Sequence, residues 1–271
     1  MWLHGLVAVV AWAGVALAGS ASAADTDRPL RLHYNVYSGG LNAMSGSLAV
    51  DLKPDRYAIE LAAETKGTIG LIFPWRSVMR TQGRADSSAL KPRAHEFTSV
   101  ARGEPSGIAL DYDEAGRFAG RRTTGPEPEE GLEPVSLPLA EGAVDILTAT
   151  LDLMRHLRSG RSCNQTIPVF DGRRRYDFIS AGQGAEMVQR SSYSSFAGQA
   201  VKCSIAIRPT GGAWKKRQRR WVDPAKAGDP QPLFASVWFA APAATVSLPA
   251  PVKIQVATPF GEFTAYLSHL E

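Results

Sequence analysis

An all-β domain carrying one principal helix is what this sequence predicts. Apolar residues alternate with polar ones through most of the chain, as they do in strands with one buried face. The alternating runs are separated by clusters of Gly, Pro and Asp, and a single segment abandons period two for helical spacing.

The first strands come from Leu30, Leu32, Tyr34 and Val36 on one parity, and from Tyr57, Ile59, Leu61 and Ala63 on another. Gly39-Gly40, Pro54-Asp55 and Gly83 supply the turns between strands. The stretch GTIGLIFPWRSVM, Gly67 to Met79, is different, because Leu71, Ile72, Phe73 and Trp75 are nearly contiguous. Burial on both sides within the core is the expected fate of such a run. The alternative is an apolar flap at the mouth of a cavity, where these residues would bind a lipid or acyl chain. Alternation resumes at Ile108, Leu110 and Tyr112 before a turn at Asp113 to Gly116. GPEPEEGLEPVSLP then reads as an exposed connection.

The helix is VDILTATLDLMRHLRSG, which places Val144, Leu147, Leu151 and Met154 on one face. Asp145 is its N-cap, Arg155, His156 and Arg158 suit the negative end of the dipole, and Gly160 closes it. A stripe this narrow predicts a helix covering a sheet rather than one lying in a membrane surface.

After the helix, Asp171-Gly172 sits between two strand-like runs in CNQTIPVFDGRRRYDFI and predicts a hairpin with a two-residue loop. That loop would set Ile167 opposite Tyr176, Gln165 opposite Phe178 and Thr166 opposite Asp177, with Phe170 meeting Arg173. Arg173, Arg174 and Arg175 then alternate between faces and cannot all grip one ligand. The Asn164-Gln165-Thr166 sequon reads as a chance match. EMVQRSSYSSF and AVKCSIAIRP read as strands, the latter putting Val201, Cys203, Ile205 and Ile207 on one face. FASVWFAAP, PVKIQVATPF and GEFTAYLSHL are the last strand candidates, the final two joined through Pro259 to Glu262.

The N-terminal apolar run from Leu6 to Ala18, followed by Ala21, Ser22 and Ala23, has the form of a secretory signal peptide spanning residues 1–23, although its first residues carry no Lys or Arg. Cleavage near Ala23 or Ala24 would leave residues 24–271 as one exported domain, and no cysteine near that junction invites lipid modification. In an oxidising compartment Cys163 and Cys203 are expected to pair rather than to stay as buried thiols. The closed loop of about 40 residues would be worth roughly 4 kcal/mol. Hydrophobic content of 44% is ordinary for a chain with a sizeable core.

The net charge of +4 is unevenly spread: an acidic run near Glu127 to Pro134 contrasts with Arg173 to Arg175 and with Lys215, Lys216, Arg217, Arg219 and Arg220. These basic runs are candidate contacts for an anionic membrane surface, the alternative being solvated hairpin tips. Export argues against nucleic acid as a partner.

Motifs for the common chemistries are missing: no nucleophile elbow, no H-E-x-x-H, no phosphate loop and no dinucleotide fingerprint occurs. DYDEAGR begins like a calcium loop but fails at Ala115 and Arg122. His33, His95, His156 and His269 stand in different elements without metal-ligand spacing, so neither a metal nor a cofactor is expected. A hydrolase would require His33, His95 or His269 to meet an acid or a serine in a cleft.

The order of several segments resembles a bacterial family of secreted β-rich proteins of unknown function. Those segments are LHYNVYSGGLNAMSGSL, TIGLIFPWRSV, VDILTATL, IPVFDGRRRYDF, CSIAIRPTGG and PVKIQVATPFGEF. The pattern is similar to the β-spiral envelope-integrity proteins of the EipB kind and, more distantly, to the LolA and LolB lipoprotein carriers. The resemblance implies a strongly curved antiparallel sheet, a β-spiral or open barrel, in the periplasm, with a disulfide corresponding to Cys163 and Cys203. Together with the exported context and the flap-like Gly67 to Trp75 segment, it leads to the expectation of a non-enzymatic envelope protein whose concave apolar face binds lipid, an acyl chain or a lipidated partner. A protein-interaction module with a filled core is the alternative.

Overall fold

The computed structural model describes residues 29–125, 137–212, 214, 235–258 and 261–271. The expected leader, the acidic run at 127–134, the basic run at 215–220 and the link at Pro259 lie outside the described residues.

The first half of the chain is a meander. It contains β1 (Leu30–Ser38), β2 (Leu41–Leu52), β3 (Arg56–Thr65), β4 (Trp75–Ala85), β5 (Leu90–Ala101), β6 (Glu104–Tyr112) and β7 (Phe118–Thr124), with a short helix α1 (Gly67–Ile72) between β3 and β4. Helix α2 (Ile146–Arg158) follows. The second half holds β8 (Gln165–Phe170), β9 (Arg174–Val188), β10 (Gly198–Gly212), β11 (Ala235–Ala240), β12 (Ala250–Thr258) and β13 (Gly261–Leu270). The 13 strands of the described residues form one antiparallel sheet whose edges are β7 and β8. The two meanders join at its centre, where β1 pairs with β13 from Leu32↔Leu270 to Ser38↔Phe263.

The sheet curls until its edges approach each other without forming a ladder between them. Arg121 of β7 donates from Nη1 to the Gly172 carbonyl at 2.7 Å. Phe118 and Phe170 meet edge to face at 5.3 Å between centroids. Around them Leu110, Tyr112, Ala140, Ala143 and Phe170 form a small second core. The outer edge of β8 is covered by the residue leading into α2, since Val144 N donates to Pro168 O and Phe170 N donates to Val144 O. The Val144 contact satisfies two backbone groups on the β8 edge, and covering an edge in this way blunts its tendency to pair with another chain.

Helix α2 lies against the concave face, and the main core gathers there: Leu32, Ile59, Leu151, Leu153, Met154, Val252 and Leu267 are all buried. Each such side chain contributes roughly 1.5–3 kcal/mol on burial. The buried face is wider than the predicted stripe, because Ala149 and Leu153 are also enclosed. Its start matches the sequence expectation: Asp145 accepts from Leu147 N and Thr148 N, and Arg155, His156 and Arg158 occupy the last turn. Cys163 and Cys203 are bridged, with Cα atoms 5.9 Å apart, and the bond ties the segment after α2 to β10.

Several expectations are corrected. The hairpin at Asp171 pairs Ile167 with Phe178 and Phe170 with Arg175, two residues further along β9 than a two-residue loop would set. The loop is longer because the Asp171 carboxylate accepts from Arg173 N and Arg174 N while Asp171 N donates to Arg174 O. An even shift preserves which side chains face the core.

Gly83 is no turn but lies within β4 at a register irregularity. A Cβ there would come within 2.3 Å of the Lys91 carbonyl oxygen and 2.6 Å of the Tyr57 ring. Gly83→Ala is therefore expected to lower unfolding free energy by about 1–3 kcal/mol, checked by a shift in denaturant midpoint at constant slope.

The stretch from Glu186 to Phe196 is strand only as far as Val188. Beyond it, serine hydroxyls bond local backbone, as when Ser191 Oγ accepts from Tyr193 N and Ser194 Oγ from Phe196 N. Such local bonds compete with a ladder. Val201 is exposed rather than sharing the core face of Cys203, because the pairing of β9 with β10 shifts between those two residues.

Candidate functional site

Polar residues converge on the N-terminus of α2, inside the sheet. Thr81 on β4 and His95 on β5 are cross-strand partners, and both side chains point inward. Asp145, with no exposed surface, receives the Thr81 hydroxyl on Oδ1 at 2.7 Å and the Thr148 hydroxyl on Oδ2 at 2.6 Å, besides the two backbone amides it caps. Tyr57 on β3 completes the cluster at 2.7 Å from Thr148 Oγ1.

Counting protons orients this network. Thr148 and Thr81 each give their one proton to Asp145, so Tyr57 donates to Thr148, and His95 Nδ1, 2.8 Å from Thr81 Oγ1, donates to that hydroxyl. Burial by itself would raise the pKa of Asp145, but the hydrogen bond and charge of His95 and the hydroxyls of Thr148 and Thr81 hold it below the ordinary carboxylate value.

His95 thus does meet an acid and a hydroxyl, as a hydrolytic relay would require, but both stand at Nδ1. A relay needs the nucleophile on one ring nitrogen and the orienting acid on the other. Thr81 is also buried, away from any substrate. The arrangement is a clamp fastening α2 to β3, β4 and β5. His33 and His269 face each other across β1 and β13 with rings 5.9 Å apart, and His33 Nε2 lies 3.2 Å from Glu271. Among the described residues no group of three side chains is placed to hold a metal ion.

The arginine triplet disperses as alternation requires. Arg174 pairs with Asp171 and lies 5.1 Å over the Trp214 ring, where the sequence had suggested Phe170 with Arg173. Arg175 Nη1 donates to the Leu139 and Glu141 carbonyls. Two of the three candidate surface cations in that run are thus engaged within the chain, and Lys215 to Arg220 lie outside the described residues. In the calcium-like loop, Asp113 accepts from Ala115 N and Arg117 N, while Asp111 pairs with Arg122. Asn164 of the sequon uses its side-chain carbonyl to accept from Gly182 N at 2.9 Å.

The apolar run at Leu71 is the clearest departure from expectation. It is not buried: Leu71 is 86% exposed, Ile72 73% and Phe73 42%, and Leu41 at the start of β2 is 66% exposed. No residue of α1 is buried. The segment is nevertheless held firmly. Thr65 Oγ1 donates to the Phe73 carbonyl at 2.9 Å and accepts from Trp75 N at 3.0 Å. Phe73 N donates to Ile69 O, and Lys66 N to Ala43 O.

Beside α1 lies a depression of ≈ 420 Å³ lined by Lys66, Leu71, Pro74, Trp75, Arg76 and Val100 among others. Three of the four candidate ligand residues, Leu71, Ile72 and Phe73, therefore form a projecting rim, and Trp75 backs the depression. The sequence signal for this outcome is the glycine pair around the run. Gly67 takes a φ of +54°, and a Cβ at Gly70 would come within 2.9 Å of the Thr65 carbonyl oxygen.

Taken together, these features define a wrapped β-sheet protein with a helix clamped in its concavity and an apolar projection on its rim. The chain belongs to the family described as Protein of unknown function (DUF3108), whose family model matches residues 33–268. Among solved structures it is similar to a β-barrel-like protein of the domain of unknown function DUF1849 from Brucella abortus. The TM-score is 0.48 and the identity 9%, over 90% of this chain and 97% of that one. No curated protein matches the sequence.

Proposed function

We propose that this is an exported, non-catalytic protein of the bacterial envelope that engages lipid, an acyl chain or a lipidated partner at the α1 rim. The observation that carries this reading is the exposure of Leu71 and Ile72 on a segment braced by Thr65. Exposed large apolar side chains grouped on a rigid element mark a contact surface more often than a defect. Because α2 occupies the concave face, the apolar ligand belongs at the rim depression rather than within the sheet. A buried disulfide and the leader-like N-terminus support a periplasmic location.

Native mass spectrometry of the protein purified from the periplasm, followed by organic extraction, tests this reading. Retained lipid or lipopeptide is the expected result, on a chain whose mass corresponds to cleavage near Ala23. The filled concavity favours a second reading, an envelope module that binds another protein through its surface. A mass free of any ligand would support that one instead.

A further inference from the structure

We infer that the α1 rim is a membrane-docking tip: Leu71, Ile72 and Phe73 enter the headgroup–acyl boundary of an anionic bilayer, while Lys66, Arg76 and Arg102 meet its phosphates. The choice of a bilayer as occupant rests on the lipid-binding reading above. The geometry adds what that reading lacks, a convex apex with cations arranged around it.

The apex is preorganised. Thr65 binds both ends of the turn after α1, and the helix backbone presses close enough to the Thr65 carbonyl that only glycine fits at position 70. A loop that merely connected β3 to β4 would not need three consecutive large apolar side chains turned outward. Groups already fixed in their exposed positions lose little conformational entropy on insertion.

The cations are positioned by the same elements. Arg102 has a φ of 52°, the one non-glycine residue in the left-handed region among those described. Its backbone N donates to the Pro74 carbonyl at 2.9 Å, and its guanidinium lies 5.1 Å over the Phe73 ring. Arg102 and Gly103 are the two loop residues of the β5–β6 hairpin, in which Ala101 pairs with Glu104, and a tight hairpin turn of this kind takes positive φ at both. The turn sets the Arg102 cation at the level of the Phe73 ring. Lys66 and Arg76 line the adjoining depression, which has room for a phosphate headgroup. Glu64, 2.5 Å from Lys66 Nζ, and exposed Glu104 are the acids nearby, so cations remain in excess. A projecting apolar apex ringed by cations suits a fluid anionic surface, whereas a protein partner would have to bring a matching groove.

The test uses the full mature protein, whose two cysteines are already bridged, with Ile72→Cys carrying an environment-sensitive fluorophore. Ser87→Cys, in the β4–β5 turn at the other end of β4, is the control. With vesicles containing phosphatidylglycerol, the label at position 72 should shift to the blue, the control should not, and the protein should float with the vesicles. Phosphatidylcholine vesicles should bind less. Leu71→Ser with Ile72→Ser should weaken flotation by at least about tenfold while leaving the thermal midpoint unchanged, since both side chains are exposed. Lys66→Gln with Arg102→Gln should reduce the salt dependence.

Absence of flotation by the folded protein, or an equal shift at both labels, would overturn docking. If extraction still returned bound lipid, docking alone would fall and the lipid-binding reading would stand. If neither vesicle nor extracted lipid were bound, both would fall.

Discussion

Asp145→Ala is expected to lower the free energy of unfolding by about 3–5 kcal/mol, the range for breaking a buried, paired charge. The substitution removes the cap from two amides of α2, strands the hydroxyl protons of Thr81 and Thr148 inside the core and takes away the carboxylate that stands 3.2 Å from His95 Nδ1. Loss of the cap by itself costs about 1 kcal/mol. The remainder is the cost of burying donors without an acceptor. Denaturant unfolding of the wild type, Asp145→Ala and Asp145→Asn measures it. Asn keeps a capping oxygen but cannot oblige all the donors, so it should fall between the two. An Ala variant within 1 kcal/mol of wild type would mean that the network is not the clamp described here.

The same residue predicts an acid limb. Its folded carboxyl is held below the ordinary 3.8, so its contribution is complete above that value and is lost as the pH falls through the lowered folded pKa. Stability of the wild type should therefore decline below about pH 4, and Asp145→Asn should decline less steeply over the same window. Equal slopes in the two proteins would assign the acid limb to other carboxylates.

Removing the Cys163–Cys203 bridge is the second large effect. The sequence separation is 40, for which loop entropy in the unfolded chain gives roughly 4 kcal/mol. Both cysteines are buried, so reductant should reach the bond in the native protein only slowly and in denaturant readily. The double variant Cys163→Ala, Cys203→Ala should unfold at lower denaturant by the equivalent of that energy. Adding reductant should move the wild type to the same midpoint and leave the variant where it was. A wild type whose midpoint ignores reductant after full reduction would show that the bond adds nothing to stability.

Much of the inner face was legible from spacing. Leu32 and Tyr34, Tyr57 and Ile59, and Leu110 and Tyr112 are buried as their alternation requires, because a pleated strand sends successive side chains to opposite faces. Asp145 was legible as a cap because capping depends on a neighbour only two or three residues away. His95 was not legible as part of the clamp. Its partners Thr81 and Asp145 come from a different strand and from the helix, and nothing local distinguishes it from a surface histidine. One trace existed: Ser77 and Thr81 occupy inward positions of β4 and Ser99 an inward position of β5, and polar residues on a core face imply buried partners.

The all-β character, the principal helix with its cap and most of the turns, though not the one expected at Gly83, follow from the sequence, as does the expectation that Cys163 and Cys203 pair. Periodicity, capping and cysteine number act over a few residues or on composition. The closing order of the strands, with β1 against β13, and the fate of Leu71 to Phe73 emerge only once the chain is folded. Period two says which face a side chain takes and not which strand lies beside it. A contiguous apolar run is core or surface according to whether another element covers it, and here none of the described residues does.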